Sequence, residues 1–187
     1  IPSIRKVRRF AEPARDDAWG GSDFTFGDVT LRKPKHDNHE LLGKTKFSGC
    51  LGVMKDVKRN KYTQKANIVA DCSTDGKEVY KLKSTANTAN WWYDHRISLI
   101  DAKTFADYRT EYFKGGKHIK TIDRSWASAN LDDPRASYWG YWYGKTNTTG
   151  HETMAFIPST ITKVNHKYKA KNLWSTRTLK KMPKKIK

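Results

Sequence analysis

The chain is short of the features that mark several protein classes. Two cysteines in 187 residues are too few for a scaffold stapled by several disulfides. No apolar run approaches the ~18–20 residues that a membrane-spanning helix needs. Glycine-rich phosphate loops are missing, because Gly20-Gly21 and Gly115-Gly116 have neither the spacing nor the Lys-Ser/Thr that such loops require. There is no Gly-x-Ser-x-Gly nucleophile elbow. No close cysteine pair or histidine pair completes a zinc-finger or zinc-deaminase spacing around Cys50 and Cys72. No fixed-period repeat, heptad pattern or prolonged low-complexity tract is present. Acidic groups are also scarce, with 19 Asp and Glu against 37 Lys and Arg, for a net charge of +18.

What is present is aromatic surface. Aromatic residues make up 12% of the chain and include seven Trp, too many for a wholly disordered polycation. One domain is expected, and a chain of this length buries roughly 70% of its extended surface. The charge is uneven: residues 153–187 carry ten basic and no acidic groups. The sequence therefore divides into a basic N-terminal arm at 1–21, a mainly β domain at 22–174 and a basic tail at 175–187. Arg5, Lys6, Arg8 and Arg9 cluster in the arm, and Lys180, Lys181, Lys184 and Lys185 in the tail. Such clusters repel themselves unless an anion neutralises them.

Apolar alternation with a period of two recurs along the domain and predicts strands. The first candidate runs from Asp23 to Lys33, with Gly27 at a change of parity. Lys33 to Asn38 is expected to be a turn or loop. Phe47, Leu51, Val53 and Val57 share one parity, and Tyr62, Ala66, Ile68, Ala70 and Cys72 the other, which predicts an antiparallel hairpin. Further strands are expected in the segments around Tyr80, Ile97, Tyr108, Ile119, Tyr141 and Ala155, with Gly115-Gly116 as a hairpin turn. A short helix at 102–113 is the alternative to a strand there. The expected fold is mainly β, a single antiparallel sheet or a barrel or half-barrel with meander connections.

Several residues could carry chemistry. His36 and His39, three apart and beside Asp37 and Glu40, are the first choice for a metal, against the simpler reading of a solvated loop. His95, Glu111 and His118 could form a metal-free hydrolytic set if their strands adjoin. Trp91, Tyr138, Trp139, Tyr141, Trp142 and Tyr143 could stack bases, line the mouth of a barrel around an apolar ligand, or fill the core. Cys50 and Cys72 could be a disulfide or two buried thiols.

Charge and rings together favour a polyanion-binding, nucleic-acid-binding domain with a structural or architectural role. An acidic protein or a larger assembly is the further partner considered. The alternatives are a secreted β-barrel that holds a small apolar or aromatic ligand, and a small nuclease. A non-enzymatic role without cofactor is favoured. Secretion is compatible with a chain that starts at Ile1, if it is a processed mature form.

Overall fold

The structure, a computed structural model, describes residues 15–30, 32–54, 57, 69–159 and 162–164. Seven strands form one antiparallel sheet in strict sequence order: β1 (Asp37–Lys46), β2 (Glu78–Ala86), β3 (His95–Asp101), β4 (Asp107–Lys114), β5 (Lys117–Ser128), β6 (Ser137–Thr146) and β7 (Glu152–Phe156). This is the single sheet with meander connections that the alternation predicts. Residues 102–113 are a turn and a strand rather than a helix. The Gly115-Gly116 pair makes the tight β4–β5 turn with both residues at positive φ, where glycine carries no Cβ penalty. β7 stops before Pro158, as befits an edge strand.

Register defines two faces. Leu41, Leu82, Ser98, Thr110, Ile122, Gly144 and Thr153 form one cross-strand row on the first face. On the second face the adjacent row runs Lys81, Leu99, Arg109, Asp123, Tyr143 and Met154.

Each face is packed under chain that the periodicity misassigned. The expected strand at 23–33 is instead a one-turn helix, α1 (Phe26–Val29). Thr25 caps it by accepting from Asp28 N, while Asp28 accepts from Thr25 N, so two orphan donors are satisfied reciprocally. Phe24, just before the cap, is buried on the first face against Trp142, with ring centroids 5.6 Å apart. Gly144 permits this approach: a Cβ there would come within 2.9 Å of the Phe24 ring. Tyr93, Tyr112 and Ile122 complete this core.

Of the expected 47–72 hairpin, residues 55–56 and 58–68 fall outside the described residues, and Phe47 to Met54 is irregular rather than a strand. Phe47 and Leu51 are buried on the second face with Val79, Tyr108, Tyr141 and Tyr143. Their shared parity therefore reflects packing onto a sheet, not membership of one. Gly52 lies so close to Tyr143 that a Cβ would meet its ring at 2.4 Å. Cys50 and Cys72 are joined as a disulfide across this segment.

Asp37 and Asn38, at the end of the stretch expected to be a turn or loop, instead open the edge strand β1, Asp37–Lys46. Its sequence, DNHELLGKTK, has no alternating apolar face, as suits a strand at the edge of the sheet.

Candidate functional site

Burial on the first face is uneven. Over β4 to β7 it is closed by the chain from Arg15 to Val29, which brings its own charges. Asp23 accepts from Thr153 Oγ1 at 2.6 Å, Thr146 Oγ1 at 2.5 Å and His151 Nδ1 at 2.7 Å. Burial raises the pKa of this carboxyl, but the three hydrogen bonds outweigh it, and the net shift is below the ordinary carboxylate value. Asp28 pairs with Lys120, whose ammonium also lies 4.1 Å from the Trp92 ring centroid. Burial pushes that ammonium below the usual lysine range, against the opposing pull of Asp28.

Over β1 to β3 the same face is open at the end where Leu41 and Tyr80 lie. Leu41, paired with Leu82, is 60% exposed. Phe105, in the β3–β4 turn at φ +62°, is 63% exposed and stacks parallel to Tyr80 with centroids 6.5 Å apart. Tyr80 pairs with Ile100, which is only half-buried, as is Leu82. Leu41, Tyr80, Leu82, Ile100 and Phe105 thus make a continuous apolar patch on one side of the sheet. Periodicity gave each of the two β2 positions a face, but Phe105 was legible only as an aromatic residue.

At the opposite end of β2 and β3, the turn from Thr88 to Trp92 and the chain at Arg15, Asp16, Arg32 and His36 enclose a pocket of about 520 Å³. Arg32 donates twice to Asp37, at 2.8 and 2.9 Å, and Arg96 reaches the same carboxylate at 3.2 Å. The Arg32 guanidinium lies 4.5 Å from the Trp91 ring centroid, a cation–π contact.

The rings singled out in the sequence are spread over both faces. Tyr141 and Tyr143 are buried on the second face, and Trp142 packs on Phe24 on the first, with Trp139 beside it at 5.2 Å. The Tyr141 hydroxyl accepts from Asp71 N, and burial pushes its pKa up to about 12. Tyr138 is half-buried, and Trp91 lines the pocket.

His95, Glu111 and His118 do come from adjoining strands, β3, β4 and β5, on the second face. Phe113, however, stands between the imidazoles, stacked on His95 at 4.9 Å and on His118 at 5.1 Å. His118 Nε2 instead faces Lys120 O and Thr121 Oγ1 at 3.1 and 3.0 Å. The residues adjoin without forming a hydrogen-bonded acid–base pair.

His39 bridges Ser84 Oγ and Pro34 O, and His36 Nδ1 accepts from Lys33 N. Among the described residues no three His, Cys, Asp or Glu side chains converge as metal ligands. The basic clusters at 5–9 and 180–185 lie outside the described residues. Among those described, no helix is long and apolar enough to cross a membrane.

A family model described as an uncharacterized protein matches residues 1–52, less than a third of the chain. No curated protein matches. Solved structures share the fold. An outer membrane lipoprotein-sorting protein domain from Vibrio parahaemolyticus superposes with a TM-score of 0.64 at 15% identity, covering 96% of this chain and 63% of that one. A DUF1329 family protein from Desulfovibrio piger gives 0.59 at 15% identity, covering 82% of this chain and 53% of that one. A LolA superfamily protein from Nitrosomonas europaea gives 0.50 at 14% identity, covering 80% and 60%. The chain therefore spans between about half and two thirds of the length of the structures it matches.

These likenesses overturn the expectation of a nucleic acid, another polyanion or an acidic protein as partner. The matched structures include a lipoprotein-sorting domain and a LolA superfamily protein, and none is named for nucleic-acid binding. The physical reason lies in where the residues went. Tyr141 and Tyr143 are packed inside and Trp142 lies against Phe24, while Arg32, Arg109, Lys120 and Arg124 are turned onto Asp37, Asp123, Asp28 and Asp107.

Proposed function

We propose that this domain is a non-enzymatic carrier that holds a small apolar, lipid-like ligand against the open part of its first sheet face. The observation that carries the reading is the apolar patch of Leu41, Tyr80, Leu82, Ile100 and Phe105, exposed on a face whose other half is covered. Contiguous exposed apolar surface of this kind marks ligand or partner sites more often than chance exposure does. The shared fold with a lipoprotein-sorting domain and a LolA superfamily protein supports the same reading. A periplasmic or secreted location fits both that likeness and the Cys50–Cys72 disulfide, since such bonds persist in oxidising compartments.

The test is binding of Nile red, a neutral apolar probe, followed by fluorescence. Saturable binding is expected, weakened about tenfold or more in the Leu41→Ser, Phe105→Ser double variant, because each side chain contributes about 1–2 kcal/mol of apolar contact. Both positions are exposed, so the variant should keep its fold. Absence of saturable binding, or binding unchanged by the double variant, would sink the proposal.

A further inference from the structure

Two rings of the open patch, Tyr80 and Phe105, are set as a pair. Their planes lie within 4° of parallel, with centroids 6.5 Å apart. The other stacked pairs among the described residues, Trp92–Tyr112, His95–Phe113 and Phe113–His118, stand at 5.1, 4.9 and 5.1 Å. Atoms in contact face to face are about 3.5–4 Å apart. Parallel rings with centroids 6.5 Å apart are therefore either separated by a gap or slid sideways until they scarcely overlap. In both arrangements neither ring covers the face of the other.

Phe105 is held there by a turn with its own hydrogen bonds. Asp101, 6% exposed, accepts at Oδ1 from Lys103 N and Thr104 N, at 2.9 and 2.7 Å, and at Oδ2 from the Tyr108 hydroxyl, at 2.7 Å. Phe105 N donates to Asp101 O at 3.0 Å, and Asp101 N to Ala106 O at 2.8 Å. These bonds keep Phe105 at φ +62°, a conformation that bulky side chains rarely adopt. Glycine would meet this turn without strain, yet the position carries a ring that is 63% exposed. Packing within the chain does not account for that ring, whereas strained and over-determined backbone is common at ligand clamps. Tyr80 is steadied from β1 by Lys44, whose ammonium lies 5.1 Å from its ring centroid and 2.9 Å from Glu78. Both rings are thus oriented before any ligand arrives, which lowers the entropic cost of binding.

We infer that Tyr80 and Phe105 receive a flat aromatic ring of the ligand. The inference rests on the carrier reading above and narrows its ligand class from apolar molecules in general to those with a planar aromatic ring system. A straight acyl chain would lie on Leu41, Leu82 and Ile100 without using the parallel orientation of two faces. A flat ring against both gains stacking as well as area burial.

Naphthol and its fully saturated analogue decahydronaphthol share a carbon skeleton and a hydroxyl, but only the first is flat and aromatic. Equilibrium dialysis measures the affinity of each for the wild type, Tyr80→Leu and Phe105→Leu, and near-UV circular dichroism checks that each variant is folded. The wild type should prefer naphthol by about tenfold, the gain expected from stacking on two rings. Leucine keeps apolar area and removes the ring, so in each variant the ratio of the two affinities should fall to about twofold or less. Phe105 is exposed, so Phe105→Leu should fold and decide the matter even if Tyr80→Leu does not.

A wild-type preference of about twofold or less, or tighter binding of the saturated alcohol, overturns the flat-ring inference and leaves the carrier reading standing. A preference that survives in either folded variant overturns the assignment to this ring pair. If neither alcohol binds, the inference fails, and the carrier reading fails with it only if Nile red does not bind either.

Discussion

The two faces of the sheet are covered by segments of similar irregularity but are held by different forces. The cover on the first face, residues 15–36, brings carboxylates to the sheet: Asp23 to Thr146, His151 and Thr153, and Asp28 to Lys120. On the second face the main ion pair belongs to the sheet itself. Arg109 and Asp123 are register partners 2.7 Å apart, and the cover adds the backbone N–H of Gly52 to Asp123, at 2.6 Å, and the Cys50 carbonyl to Arg109, at 3.2 Å. That cover is closed on itself by the Cys50–Cys72 bond and tied to the sheet by Asp71, which accepts from Ser125 Oγ at 2.6 Å. One cover is thus fastened by ionised groups that must be paired, and the other by a covalent closure and by hydrogen bonds to a sheet whose own ion pair exists without it.

The largest expected effect tests the first fastening. Lys120→Met removes the partner of Asp28, whose side chain is 1% exposed, and a buried charge stripped of its partner costs about 3–5 kcal/mol. The urea midpoint measures it, and a loss below about 1 kcal/mol would mean that the pair is solvated and the contrast between covers is wrong.

Next comes the second fastening. Replacing both Cys50 and Cys72 by Ser opens a loop of sequence separation 22 and should cost about 2–4 kcal/mol. Hydrogen exchange should quicken at Leu51 and Gly52 while the amides of Phe24 and Asp28 keep their protection. Equal loosening of both covers would show that they are mechanically one unit.

The smallest effect is in pH. Asp23 has a folded pKa below its unfolded value, so its stabilising contribution is present above the unfolded pKa of about 4 and is lost as pH falls through the lower folded value. Asp23→Asn should flatten this part of the acid-denaturation curve, and the first cover should loosen before the second. A wild-type curve indistinguishable from that of the variant below about pH 4 would refute the assignment.

How much of this was legible in the sequence follows from the same contrast. Strands β2 to β7 lie in the body of the sheet or hug it closely, and period-two alternation marks Tyr80 with Leu82 and Tyr141 with Tyr143. β1 was missed because an edge strand shows no clear apolar face. The covers were misread for opposite reasons. Phe24 and Phe26 alternate like a strand, yet the Thr25-x-x-Asp28 capping pattern, present in the sequence, turns the chain into α1. Phe47 and Leu51 keep strand parity because they fill spaces in a sheet. Of the candidate site, Trp91 was singled out in advance, and Asp37 only as an oxygen ligand beside His36 and His39, but Arg32 was not. Arg96 and Asp37 stand 59 positions apart, and Lys120 and Asp28 92 apart, separations at which no local pattern announces a pairing.

The strict sequence order of the sheet has a consequence for how the molecule assembles. Every strand pairs only with its neighbours in sequence, so, although β1 joins β2 across residues 47–77, from β2 onward each hairpin can close over a short loop at little entropic cost. The first cover cannot. Asp23 reaches its partner Thr153 across 130 positions, on the last strand. The chain that emerges first must therefore wait for the strand that emerges last. Pulse-labelled hydrogen exchange should show β2 to β5 protected before Asp23 and Phe24. During that interval Tyr112, Ile122 and Trp142 are bare, and not only the open half of the first face.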